Sequence, residues 1–447
     1  MVHEDCEPSG NAAKNSSAKS IYLQKPTLLA AMICLLASAF YLYEFVLQVS
    51  PAVMTHELIH DFGLNAVSLG TMAAFYYYAY TPMQFPAGFL FDRFGPRRLL
   101  TAAILTCAIG ALIFGISSSV AMASAGRFMM GMGSAFSFIG TLVLISRWFP
   151  ARYFAFLTGL VELMSCIGAI VGETPLAIAV SHYGWRHTMM TFAILGLVLG
   201  LLIWLVVRDS PEVVLQGNTV QAISRKNILR GLQQVCRNNQ TWFVALYSFM
   251  VWAPITAFAA LWGVPFLVAA YGISTKAAST ACTMIWLAIG IGCPLLGWWS
   301  DKVGLRGMPL KFAASLGIIG VVPVIYIPHL PIFLLYACLF LIGLAASGQS
   351  LAFGVVRDNN HSSVAGTAIG INNMATVAGG ALFQPIIGFF LYLYWNGALY
   401  QGAPFYNITD YRKAFILLPF CYIVAFLVGK FLIKETYCRP QHHHVSQ

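Results

Sequence analysis

Apolar residues run along this chain in blocks of eighteen or more, separated by short polar stretches. An α-helix rises about 1.5 Å per residue, so about twenty such residues cross a ~30 Å hydrocarbon core. The pattern predicts twelve spanning helices, at about 27–49, 66–90, 99–117, 119–146, 154–180, 189–207, 241–270, 278–299, 312–328, 331–356, 364–394 and 413–433. Residues 1–26 are hydrophilic, and no apolar core with a small-residue cleavage site follows a charged start. The first apolar block is therefore expected to stay as an anchor. The longest polar interruption divides the spans six and six. The expected layout is a tail (1–26), a first bundle (27–207), a linker (208–240), a second bundle (241–433) and a second tail (434–447). The end of the linker has a helical pattern with Arg225, Lys226 and Arg230. It reads as a helix lying on anionic lipid, or as a plain solvated connection.

Composition supports this class. Charged residues make up 9% of the chain and hydrophobic ones 59%, whereas a soluble protein carries about 25% charged residues. The net charge of +10 is explained by position. With the N-terminus inside, 20 of the 25 Lys and Arg fall on the cytoplasmic side, and only Arg186, Lys276, Arg412 and Lys413 fall outside. That is the positive-inside bias, so no nucleic-acid partner is expected and both termini are predicted to be cytoplasmic. The ten Cys include no ligand spacing, so no metal or other cofactor is expected. HExxH, GxSxG and P-loop patterns are absent as well, so no enzymatic role is expected.

The two halves repeat a loop. Residues 88–100 read GFLFDRFGPRRLL and residues 297–310 read GWWSDKVGLRGMPL. Gly88, Asp92, Arg93 and Gly95, with Arg97 beyond, thus match Gly297, Asp301, Lys302 and Gly304. The first Gly of each set suits close approach of two helix backbones, and the second suits a tight turn. The Asp can accept from Arg or from a helix N-terminus, a polar latch able to hold one conformation and release in another.

These paired loops, with Arg127, Gly131 and Gly133 in the fourth span, resemble the signatures of the major facilitator superfamily of secondary transporters. The resemblance implies an all-α membrane protein whose two pseudo-symmetric six-helix bundles surround a cavity opening alternately to either side. The Gly-Pro pattern of drug-exporting members is missing from the fifth span. The stretch from Tyr41 through Leu100 resembles, more narrowly, phagosomal nutrient transporters of intracellular bacteria. That likeness implies a monomer in the bacterial inner membrane that takes up amino acids or nucleosides, with siderophores as the cargo of some relatives.

Ionisable groups inside spans are costly and mark function by default. Arg127 is expected to face the cavity and pair with Glu44 or Glu162, or to bind a substrate carboxylate. The alternative is that it pins helices together. Glu44 shares a helical face with Tyr41 and Gln48, unless it snorkels at the boundary. Glu173 reads as a boundary residue. Aligning Gly159 with Gly370 puts Glu162 opposite Asn373, with Asn372 beside it. These asparagines either line the cavity or bond neighbouring helices. Among the tyrosines of FYYYAY, Tyr76 and Tyr80 are candidates for the substrate or proton pathway. The functions to weigh are proton-coupled uptake of an amino acid, transport of a siderophore or other organic carboxylate, and a membrane nutrient sensor that does not transport.

Overall fold

The computed structural model describes residues 28–150, 153–210, 225–361, 364–400 and 403–438. Among them the chain is helical, apart from a short antiparallel pairing of Leu399–Tyr400 with Ala403–Pro404. Ten helices or joined helix pairs are long and apolar enough to cross a membrane. One of these, Phe154–Val206, contains two spans, because Gly184 breaks it with φ 76°, a conformation costly to residues bearing a Cβ. Ala66–Phe94 adds a further 29-residue helix with a more polar sequence. The described helices therefore supply twelve spans, as expected.

Span one is Leu28–Val49, continued by the 3-10 turn Ser50–Val53; span two is Ala66–Phe94 and span three is Pro96–Gly115. Span four comprises Val120–Ser134 and Ser137–Trp148, and spans five and six are the two parts of Phe154–Val206. Span seven is Asn239–Tyr271 with a π-helical middle, Ile255–Trp262. Spans eight and nine are Thr275–Val303 and Gly307–Tyr326. Span ten joins Ile332–Ala346 to Gly348–Asp358, span eleven is Ala365–Tyr394, and span twelve joins Ile408–Ala414 to Leu417–Phe431. Side-chain oxygens begin several of these helices. Asn65, Ser119 and Ser274 accept from the backbone N–H of Ser68, Met122 and Ala277, as helix N-caps do.

The internal repeat extends beyond the loop motif. Spans four and ten both break near their middles, at 135–136 and 347. A carboxylate after the sixth span of each half also caps the third helix of that half. Asp209 accepts from the Arg97 N–H at 2.8 Å, and Glu435 accepts from Arg306 and Gly307 at 2.8 and 2.7 Å. Both sit at a helix N-terminus, where backbone donors and the macrodipole favour an anion. Burial pushes the Glu435 carboxyl up, but the backbone N–H groups of Arg306, Gly307, Tyr437 and Thr436 together hold it below its ordinary value. Gly95 is required at the first of these sites. Its φ is 77°, and a Cβ there would stand 2.7 Å from the Asp209 carboxylate.

The halves meet mainly near one end, the outer one in the orientation that the basic loops predict. There span two touches span eleven backbone to backbone. A Cβ on Gly70 would lie 2.5 Å from the Gln384 carbonyl, and one on Gly388 would lie 2.3 Å from that of Ala66. The Ala66 N–H donates to the Tyr406 hydroxyl at 2.8 Å. Span five meets span eight through Thr174, which lies 3.1 Å from the Thr280 hydroxyl and 3.3 Å from that of Thr283. At the opposite end, Gly88, Gly159, Gly297, Gly366 and Gly370 have nothing within 4 Å of where a Cβ would be. The halves thus pack closely at one end and leave these glycines without neighbours at the other, the end that the basic loops would place inside. The close backbone approach expected at Gly88 and Gly297 is therefore missing, because the inner ends of the halves stand apart.

Candidate functional site

The polar cluster of the first half forms where span one ends. Leu47 would pass its carbonyl bond to residue 51, but Pro51 has no N–H to give. Arg127 and the Ser50 hydroxyl fill that role. The Arg127 guanidinium donates to the carbonyls of Leu47 at 2.7 Å, Gln48 at 3.4 Å and Ala73 at 3.4 Å. The side chain is 0% exposed, and its Nε has no acceptor among the described residues. The last carbonyls of a helix carry its negative pole, so a cation there is favourable.

Arg127 therefore makes no ion pair with Glu44 or Glu162, contrary to expectation. Tyr76 stands between the charges. Its ring lies under the guanidinium at 4.8 Å, and its hydroxyl donates to Glu44 Oε1 at 3.2 Å. Ser137, at the break in span four, donates to Glu44 Oε2 at 2.5 Å. Glu44 is 1% exposed, so it does not snorkel. Gln48 donates to the Tyr77 hydroxyl at 3.2 Å, and the Tyr77 ring reaches across to Gly380 of span eleven. Tyr80 stacks on Tyr76, with centroids 5.8 Å apart. Tyr78, by contrast, is exposed on the bundle exterior.

Glu162 is half-buried on span five, one turn beyond the open position at Gly159. It lies within electrostatic range of Glu44, Tyr41, Tyr80 and, across the seam, Cys293 of span eight. Asn373 is half-buried one turn beyond the open Gly370. Asn372 is different. It is fully buried and accepts from Ser248 at 2.9 Å, so it bonds span seven rather than lining the opening. Consecutive helical residues diverge by about 100°, so only one of the pair can face the cavity.

Glu173 overturns its reading as a boundary residue. It is 0% exposed, pressed into the outer seam beside Trp286 and Cys282 of span eight. Sequence reasoning also missed Pro51 and Ser137. The Pro was a usable signal, since it predicts an orphaned carbonyl four residues earlier.

In the repeated loops, Gly95 and Gly304 both take positive φ at their turns, 77° and 71°. Arg97 donates to the Trp204 carbonyl at 2.9 Å, and Arg93 lies over Phe94. The Asp92 side chain lies outside the described residues. In the second copy, Asp301 pairs with Arg306 at 2.9 Å, and Arg306 in turn faces the buried Asp358 at 3.5 Å. Lys302 lies over Trp298. The helix Arg225–Arg237 exists, but its side chains through Arg230 lie outside the described residues.

This geometry can be set beside known proteins. The family model for the Major Facilitator Superfamily matches residues 27–385. The membrane sensor protein UhpC of Escherichia coli is 25% identical over 407 residues, covering 85% of this chain and 87% of that protein. A probable hexose phosphate transport protein of Chlamydia muridarum is 22% identical over 419 residues, covering 87% of each. The crystal structure of a bacterial homologue of the human lysosomal transporter Spinster shares the fold. Its TM-score is 0.72 at 14% identity, covering 91% of this chain and 98% of that one. None of these relatives carries the phagosomal nutrient name of the narrower resemblance.

Proposed function

The chain belongs to the Major Facilitator Superfamily, an integral membrane transporter and not an enzyme, and from that premise we propose that it takes up a small amine-bearing solute, above all an amino acid, together with protons. One observation carries the reading. The half-buried acid on span five is Glu162, within electrostatic range of Tyr41 and Tyr80, while Arg127 is occupied by backbone carbonyls. A carboxylate beside tyrosine hydroxyls suits an ammonium group, and titration of Glu162 or Glu44 supplies the coupling proton. In this reading the protein works as a monomer in the bacterial inner membrane, with both termini cytoplasmic. Gln48 and Tyr76 hold the first half's cluster in register.

A second reading takes its support from the hexose-phosphate relative. An organic anion would need bases at the opening. The deciding experiment is uptake into proteoliposomes from a pool of amino acids, nucleosides, hexose phosphates and carboxylates, with and without an inward proton gradient. Amino acids that accumulate only with the gradient are the expected result. Accumulation of hexose phosphates or carboxylates instead would overturn it. Any accumulation rejects a sensor that does not transport, the role named for UhpC.

Glu162→Gln is expected to abolish gradient-driven accumulation while counterflow exchange persists. Full accumulation by this variant would move the coupling proton to another group. The paired loops act as a latch on the inner side, so Asp92→Asn is expected to slow uptake of every substrate alike. A changed order of preference in competition assays would reject the latch.

A further inference from the structure

Span five carries a second acid on the same face as Glu162, eleven residues and about three turns further out. This is Glu173, in the outer seam between the halves. Both of its carboxyl oxygens are buried without a hydrogen-bond partner among the described residues. The Trp286 indole beside it is likewise buried, and its N–H faces the carboxyl group without closing a well-formed hydrogen bond. Phe45 of span one closes the far side of that indole, edge to face at 6.2 Å. Thr174, next in the chain, bonds across the seam to Thr280 and Thr283.

The groups around Glu173 offer no counter-charge. Span eight presents the Cys282 thiol and Trp286, and its one nearby base, Lys276, is exposed toward the outer mouth. Span one presents Val46 and Val49, which pack on Gly172. Its own acid, Glu44, turns away to Tyr76 and Ser137. The turn Ser50–Val53 is uncharged, and the Ser50 hydroxyl is bonded to the Leu47 carbonyl. A carboxylate is strongly disfavoured in such a place, because a single indole N–H does not replace the water it loses.

We propose that Glu173 is a proton-binding site that permits the outer seal to close. With the seam open to the outer solution the group meets water and ionises. Taking a proton from that solution forms an O–H bond and leaves a neutral acid that the closed seam can bury. Opening returns the proton to the same side. The site is distinct from the inner acids, Glu44 and Glu162, and it makes outer acidity a control on which way the cavity faces.

Cys282 is a native reporter of the seam, since it is fully buried when the seal is closed. Full-length protein in lipid nanodiscs, without substrate, is treated with a maleimide, and Cys282 labelling is read by peptide mass spectrometry. A free cysteine peptide in the same tube corrects for thiol chemistry. Between about pH 5.5 and about pH 8, corrected labelling of the wild type is expected to rise roughly tenfold or more, as one titrating group allows. Glu173→Gln should stay at the low level throughout, and Glu173→Asp should keep the rise. A flat wild-type profile, or an unchanged rise in Glu173→Gln, would overturn the site. Should the Gln variant not assemble, a flat profile in Glu173→Asp does the same. The site rests on alternating access but not on the cargo. The labelling uses no substrate, so a failed amine panel and a failed proton site give separate results.

Discussion

Replacing Gly388 with alanine is expected to cut uptake roughly tenfold to a hundredfold and leave the protein folded. The added Cβ would sit 2.3 Å from the Ala66 carbonyl, which belongs to the other half of the molecule. Overpacking of this kind costs about 1–3 kcal/mol, and about 1.4 kcal/mol is a factor of ten in an equilibrium. Under alternating access the cost is expected to fall only on the state in which spans two and eleven are packed together. Gly70→Ala should act the same way, its Cβ meeting the Gln384 carbonyl at 2.5 Å. Cys282 labelling should rise in both variants. Gly168→Ala is the contrasting case. Its Cβ would strike the Leu42 carbonyl at 2.2 Å, within one half, so it should lower the melting temperature in either state. Normal uptake by Gly388→Ala with unchanged labelling would show that spans two and eleven do not meet this closely during transport.

Arg127→Met should be destabilising, by roughly 1.5–3 kcal/mol, since a hydrogen bond to a charged group contributes about that much. Three carbonyls lose a charged donor, and Leu47 is left with only the Ser50 hydroxyl, since Pro51 has no N–H to give. Lysine should rescue only partly, since one compact ammonium cannot span carbonyls on two helices. The sharper test is a double-mutant cycle with Pro51→Ala. The new N–H at position 51 can serve the Leu47 carbonyl, so the paired substitutions should cost less than the sum of the two alone, by about 1 kcal/mol. Thermal unfolding in detergent measures each corner of the cycle. Strict additivity would show that Arg127 does not replace the missing proline donor.

Much of the architecture was legible in the chain. The apolar blocks are long because a bilayer is thick, and their positions depend on local composition alone. The six-and-six division and the repeated loop survive as an observed pseudo-symmetry, visible in the broken spans four and ten and in the caps at Asp209 and Glu435. The partners of the buried charges did not follow. Height along a helix says nothing about which carbonyl or hydroxyl a neighbouring helix presents at that level. For Arg127 the competitors were a carboxylate and the freed end of span one, and it went to the carbonyls, one of which lacks its helical donor because of Pro51. For Glu173, position near a span end implied water, yet the seam with span eight excludes it.

The chain by itself therefore determined that this protein spans the membrane twelve times in two related halves and which polar residues lie at which depth. Only the tertiary structure decided at which end the halves pack together, that Tyr76 separates Arg127 from Glu44, and that Glu173 is buried. The reason is physical: burial in a bilayer is a property of single segments, but hydrogen-bond partners and the seam between halves depend on how helices distant in the chain are rotated against one another.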